Sequence, residues 1–338
     1  MTQIAKDMTK KRDLDLICLT NTVTDVLVHA SQQDVERFGL NKGGFIKKSE
    51  MPDYDSFLSW VSSQVKVMFP GGSPANVART ASGLGLDVAV IGTVGNDDYG
   101  VSFLENLKDL DVESLIASTD GLSGVCYVLV TPDGEKSTVA NMGVSKDFLF
   151  EPDIVMDRFK EGGILHTSTY ELESDFDRVV ALMQYAQHEG VELSLDLGDP
   201  ASVARLGDKI WDVLADVSIL FAKEDELSML YSGQTSGQTI AISDMIGSQL
   251  SVNHFVVLKR GAEGSLVCTQ KGRCHIEAFK TNVVNTNGAG DSYAAGFLFG
   301  HANKLNLGVC GAMGTYSAAK VCGQDRAYLE KGFCGEKY

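Results

Sequence analysis

Apolar positions recur along this chain in two rhythms. Short apolar runs at Leu16–Leu19, Val88–Val94, Ile164–His166, Val191–Leu197, Val217–Phe221 and Phe255–Leu258 predict strands, with amphipathic stretches between most of them. Phe176, Val179, Val180, Met183 and Ala186 form a stripe with the i, i+3, i+4, i+7 spacing of a helix that stops at Gly190. Strand and helix in alternation predict an α/β protein, a Rossmann-like, doubly wound and mostly parallel sheet with helices on both faces.

Residues 22–49 and 123–142 interrupt that alternation. They hold strand-like pieces (Thr22–His29, Val125–Val130, Ser137–Asn141) and a Pro132-Asp133-Gly134 turn with no helix between. Such pieces pair into a small β-sheet lid over the strand ends, where doubly wound folds take their ligands. With no linker, repeat or low-complexity stretch, residues 1–338 read as one domain carrying that lid.

Charge and composition narrow the partners. A formal charge of −16 over 338 residues argues against nucleic acid and anionic membranes as general partners, so any phosphate must meet local donors. Composition, 44% hydrophobic and 22% charged, is that of a packed globular protein. The seven cysteines include no CxxC pair and sit mostly among apolar neighbours, which predicts reduced core residues. Met1–Arg12 lacks the apolar segment of a signal peptide, and no run approaches the ~18 apolar residues of a membrane span. A cytoplasmic address is expected.

The densest chemistry lies at Asn285-Thr286-Asn287-Gly288-Ala289-Gly290-Asp291, which runs directly into the apolar segment Ser292–Leu298. Two glycines around an alanine let successive N–H groups converge, and a helix starting there adds its positive end. Phosphate suits such a cradle. Asp291, a carboxylate in the first turn, does not itself favour phosphate and reads as a base beside the transferred group, which implies phosphoryl transfer to a hydroxyl.

Other motifs admit two readings each. In Gly71-Gly72-Ser73-Pro74-Ala75-Asn76, Ser73 is expected to cap a helix with Pro74 at its first position, and Asn76 projects from the first turn. The glycines serve either a tight connection or the close approach of a ligand. Asn21 and Asp25 after the first strand are either turn residues or acceptors for two substrate hydroxyls. Gly92–Gly100 follows a strand but has the wrong spacing for a dinucleotide fingerprint, and it reads as a βα turn. Asp196 and Asp199 are either a metal pair or a solvated turn before Pro200. Walker A, HExxH and GxSxG sequences are missing.

Taken together, GGxxxN at 71–76 and TxGAGD at 286–291 resemble the ribokinase-like (PfkB) family of sugar and nucleoside kinases, over roughly Asp13 to Glu330. The resemblance implies a Rossmann-like core with a β-sheet lid, Asp291 as the base that takes the acceptor hydroxyl proton, and an anion hole at Gly288, Ala289 and Gly290. It further implies contacts from Asn21, Asp25, Gly71, Gly72 and Asn76 to the acceptor hydroxyls. Lys259, Gly261 and Gly264 resemble the strand-turn-strand bordering the nucleotide, and Asn282–Asn287, including Asn287, with the helix around Gly311–Lys320 is expected to flank adenine. ATP and Mg²⁺ are the implied cofactors, a sugar or nucleoside the partner, and a monomer or a homodimer paired through lid edges the assembly.

Two positions depart from the family pattern. Asn285 replaces the Asp that opens its DTxGAGD element, which puts a nearby monovalent cation in question. Lys223 replaces the Asn of NxxE, although Glu226 is retained, so the placing of magnesium is altered and Lys223 either neutralises a phosphate or is a surface lysine. Gly39–Gly43, Val125–Ser145 and Ser194–Tyr231 are similar to adenosine-kinase-like members, so a purine nucleoside is the first expected acceptor and ribose or fructose the next. The alternatives are a catalytically weakened sugar- or nucleoside-binding protein, motivated by Asn285 and Lys223, and a nicotinamide-dependent oxidoreductase on a similar sheet.

Overall fold

A computed structural model describes residues 14–42, 44–231 and 254–330. Met1–Asp13, Gly43 and Cys334, which entered the sequence reading, lie outside the described residues.

Among the described residues nine strands form the large sheet, in the order β14-β13-β12-β11-β10-β9-β1-β5-β6. Its central part runs from β12 (Phe255–Lys259) through β11 (Ile219–Ala222), β10 (Glu192–Asp196), β9 (Gly162–Ser168) and β1 (Leu14–Leu19) to β5 (Val88–Gly95) and β6 (Glu113–Thr119). Those neighbours are all parallel, and β13 (Ser265–Thr269) and β14 (Gly272–Ile276) add an antiparallel edge. Among the parallel strands, β5 and β11 are nearly continuous apolar runs, as strands covered on both faces require. One core layer joins Ile17, Leu165 and Leu195 with the stripe of the helix Phe176–His188. The other joins Leu16 and Val90 with Ala78, Phe103 and Phe297.

A second, five-stranded sheet has the order β3-β8-β7-β2-β4, from β3 (Phe45–Lys47), β8 (Lys136–Asn141), β7 (Gly124–Val130), β2 (Val23–His29) and β4 (Lys66–Pro70). β4 lies outside both stretches singled out in the sequence; its apolar run Val67-Met68-Phe69 is short and largely exposed, so no inside-outside alternation marks it. Period-two geometry gives this sheet two different faces. Val26, Val28, Leu129 and Val139 pack on Phe57 and Val61 of the helix Tyr54–Ser63. On the opposite face the register aligns Asp25 with Cys126 in one row, and Val128 with Thr138 and Phe45 in the next.

Chain order reverses between β1 and β9. From β1 the chain proceeds to β5 and β6 on one side, then returns to lay β9 to β12 on the other. Such a switch opens a crevice at the carboxyl ends of the two strands, and the functional residues gather there.

Candidate functional site

A cavity of about 270 Å³ occupies this crevice, roofed by the second sheet. Asn21 follows β1, and Glu171 sits in the short helix after β9. Glu171 accepts from the backbone N–H of Asn21 at 2.9 Å and from Asn21 Nδ2 at 3.1 Å, while its other oxygen accepts from the backbone N–H of Ser168 at 3.1 Å. Burial raises the Glu171 carboxyl to about 7 despite these donors. The buried Oδ1 of Asn21 finds no hydrogen-bond partner among the described residues.

Helix α3, in chain order the one at Ser73–Leu84, follows two glycines, but its cap differs from the sequence expectation. Gly72 is the N-cap, so Ser73 is the first helical residue and Pro74 the second. Freed from capping, the Ser73 hydroxyl donates to Asp291 Oδ1 at 2.7 Å, and Asn76 Nδ2 donates to Asp291 Oδ2 at 2.9 Å. Gly71 packs directly on Asp25: a Cβ there would stand 2.5 Å from Asp25 Oδ2 and push that carboxylate aside.

Asp291 lies in the first turn of the helix Ala289–Ala302, capped by Gly288. Gly288 has φ +71°, and a Cβ on it would stand 1.9 Å from the carbonyl oxygen of Ala327, so only glycine fits this turn. Burial raises the Asp291 carboxyl, and the bonds from Asn76 and Ser73 oppose the rise. Burial likewise raises Asp25 to about 7, offset in part by Arg79 and Lys136 and reinforced by Asp291.

Of the residues singled out from the sequence, Asn21, Asp25, Gly72, Asn76, Asn287 and Asp291 line one cavity, and Gly71 packs against Asp25. Lys223, Glu226, Lys259, Gly261 and Gly264 lie outside its wall, at and beyond the ends of β11 and β12. Lys259 reaches inward even so, since a Cβ on Gly290 would stand 3.4 Å from its Nζ. It pairs with Asp196, which is therefore buried beside a cation and not a solvated turn, whereas Asp199 caps the helix Pro200–Leu206. Burial opposes the Lys259 charge, but Asp196 and Glu226 raise its pKa overall.

The two departures have local roles. Lys223 Nζ stands 2.9 Å from Glu226 Oε1, so its charge is already met by a neighbour. Asn285 Oδ1 accepts the Asn287 backbone N–H at 2.9 Å and Lys136 Nζ at 3.2 Å, which tethers the glycine turn to the second sheet. Among the described residues no group of three or more His, Cys, Asp and Glu is placed to hold a metal ion. None of their helices is long and apolar enough to cross a membrane. Cys18, Cys268 and Cys310 are buried as the core reading expects, whereas Cys274 is exposed, Cys126 lines the cavity and Cys322 is only half-buried, so the reading fails for those three.

Several site residues escaped the sequence reading. Phe45 and Tyr170, both on the cavity wall, face each other with ring centroids 6.4 Å apart and planes 30° apart. Lys47 pairs with Glu173 at the same wall. Arg79 is fully buried, donating to Asn106 Oδ1 at 2.7 Å, Gly71 O at 3.0 Å and Asn76 Oδ1 at 2.9 Å. Helix α3 offered one signal, because Arg79 is its only charged residue.

A parallel sheet with a cavity at its switch point, covered by a second sheet, is the architecture of ribokinase-like proteins. A family model described as pfkB family carbohydrate kinase matches residues 61–330. The chain belongs to that family, whose members are phosphotransferases acting on hydroxyl groups, and it is a sugar or nucleoside kinase. It is 32% identical over 231 residues to an ATP-dependent ribose-1-phosphate kinase of Halopiger xanaduensis, covering 68% of this chain and 72% of that one. It is 29% identical over 260 residues to a probable fructokinase-5 of Arabidopsis thaliana, covering 73% and 78%. Among solved structures, adenosine kinase from Sinorhizobium meliloti superposes with a TM-score of 0.82 at 25% identity, covering 94% of this chain and 96% of that one. A probable sugar kinase from Rhizobium etli superposes at 0.84 with 22% identity, covering 94% and 95%.

Proposed function

We propose that this kinase transfers the γ-phosphoryl group of ATP to a primary hydroxyl of an uncharged nucleoside, with a free sugar as the second reading. Asp291 takes the hydroxyl proton as the oxygen attacks phosphorus, and the amides from Gly288 to Gly290 hold the phosphoryl oxygens as charge builds on them. Asn21, Asp25, Gly71, Gly72 and Asn76 orient the acceptor. Lys259, next to Gly290, adds positive charge on the nucleotide side, where Gly261, Gly264 and Asn287 border ATP. Magnesium enters as part of the nucleotide substrate, with Glu226 acting on it only indirectly.

The observation that carries this reading is the Ser73–Asp291–Asn76 cluster: a half-buried carboxylate at one helix N-terminus, held by the first turn of helix α3 and open to the same cavity as Asn21 and Asp25. Two features favour a neutral, aromatic acceptor. Phe45 and Tyr170 put aromatic surface on the cavity wall, and the carboxylates Asp25, Glu171, Glu173 and Asp291 outnumber the wall cations Lys47 and Lys136. A phosphate already on the acceptor meets that carboxylate excess. The sugar reading is favoured by the likeness to the ribose-1-phosphate kinase and the fructokinase.

Both readings are tested by ADP release with ATP and a panel of adenosine, guanosine, ribose, fructose and ribose 1-phosphate. The expected result is the highest kcat/KM with a nucleoside. Turnover confined to ribose 1-phosphate would refute the uncharged acceptor, and absence of ADP with every acceptor would refute the activity in favour of a binding protein.

A further inference from the structure

Arg79 is a fully buried guanidinium in an otherwise uncharged helix, and the activity as described so far does not use it. Its surroundings are specific. Phe103 and Tyr328 cover it, with ring centroids 4.9 and 5.3 Å from Cζ, and Asn106, which accepts from Nε, is itself anchored by donating to the Tyr328 hydroxyl at 3.0 Å. The remaining bonds from Nη1 go to the carbonyl of Gly71 and to Oδ1 of Asn76.

The last contact fixes a direction. Guanidinium has donors and no acceptors, so the Asn76 amide must turn its oxygen to Arg79 and its NH₂ away from it. That NH₂ is the group that donates to Asp291 Oδ2. With the amide reversed, its oxygen would face a carboxylate and its NH₂ would face a cation, and both contacts would be repulsive.

We infer that Arg79 is a positioning residue for the base: it locks the Asn76 amide in the orientation that holds Asp291 ionised and aimed, and through Gly71 it sets the loop against Asp25. This rests on Asp291 being the base proposed above. Arg79 stays charged in its buried place, with its pKa lowered to about 10 by desolvation and supported by Tyr328, Asp25 and Asp291. The charged and polar groups facing Asp291 are Ser73, Asn76 and Arg79 from helix α3, Asp25 from β2, Asp196 from the end of β10 and Lys259 from the end of β12. Asp196 and Asp25 push its proton affinity up, so the Asn76 donor and the cations must oppose them. Asp25 depends on the guanidinium directly.

The experiment titrates Asp291 by ¹³C NMR of protein labelled at the aspartate carboxyl carbons, with Asp291→Asn identifying the signal, so the readout does not depend on turnover. Arg79→Met, close in shape to the alkyl part of arginine, is expected to raise the Asp291 titration by at least about one pH unit and to raise Asp25 with it. Arg79→Lys restores the charge but not the fork, so it returns Asp25 towards its original value more fully than Asp291. Asn76→Asp serves if Arg79→Met does not fold: Arg79 binds one new oxygen, the other faces Asp291, and the titration again moves up. In kinetics, kcat/KM of Arg79→Met is expected to fall about 100-fold at pH 7.5, with kcat affected more than acceptor KM. An unmoved Asp291 titration in a folded Arg79→Met or Asn76→Asp protein overturns the inference. Wild-type protein that releases no ADP instead removes the proposed activity and leaves the NMR result to decide the role of Arg79.

Discussion

Replacing Asp291 with asparagine separates chemistry from structure unusually well, because the local hydrogen bonds say how the new side chain will sit. Asp291 accepts from Asn76 at Oδ2 and from Ser73 at Oδ1. Asn76 cannot reverse its amide while Arg79 holds Oδ1, whereas the Ser73 hydroxyl rotates freely between donor and acceptor. The introduced amide will therefore give its oxygen to Asn76 and its NH₂ to Ser73, which keeps every partner and removes a half-buried negative charge. Stability is expected to stay within about 1 kcal/mol of wild type or to rise. Turnover has no such compensation. Loss of a general base costs about 10² to 10⁴ in kcat, an increase of roughly 3 to 5 kcal/mol in barrier height. A coupled assay of ADP release measures kcat, and calorimetry measures acceptor affinity, which should change by less than about threefold because the orienting residues remain. Turnover within about threefold of wild type, in a protein with unchanged affinity, would refute the assignment of the base.

Three further outcomes follow from the same geometry. Gly288→Ala forces a side chain into φ +71° and against Ala327; the left-handed turn alone costs about 1–2 kcal/mol, so Tm should fall by a few degrees and kcat by about 100-fold as the amides shift. The pH dependence should run in opposite senses for activity and stability: kcat/KM falls as pH drops through about 7, where Asp25 takes up its proton, if the ionised form binds the acceptor. Because Asp25 and Glu171 hold protons more tightly folded than unfolded, their contribution to stability is full below about pH 4 and is lost as pH rises towards about 7, which Tm against pH will show for the ligand-free protein. Gly71→Ala places a methyl on the Asp25 carboxylate and should raise acceptor KM while leaving nucleotide affinity alone, as separate titrations of the two ligands will reveal.

The sequence disclosed those parts of the molecule whose signals are local. Strands buried on both faces announce themselves as apolar runs, so β1, β5 and β9 to β12 were legible to within a few residues. β6 and β14 were not, because they are the large sheet's two edges and their polar positions blur the period, and β4 was not, because its short apolar run is largely exposed. The glycine turn before Asp291 and the helix start at Gly71–Asn76 were legible as structure because each signal lies in one short segment. Their contact across 215 positions of sequence follows only from the fold. Arg79 was passed over because a charged residue on a helix ordinarily faces water, and only the lack of any other charge in helix α3 marked it. Ser73 was read as a cap because Ser-Pro is a common helix start; Gly72, with φ +88°, takes that position instead and frees the hydroxyl for Asp291. Phe45, Tyr170 and Lys136 carry no motif and reach the cavity through strand register and the switch in chain order.

The most direct test of the catalytic geometry is a crystal structure with adenosine and a non-hydrolysable ATP analogue bound together. The expected arrangement has the primary hydroxyl within about 3 Å of an Asp291 carboxylate oxygen, displacing Ser73, and the γ-phosphate on the amides of Gly288 to Gly290. A ternary complex in which Asp291 keeps both Ser73 and Asn76, with the hydroxyl and γ-phosphate meeting elsewhere, would contradict it.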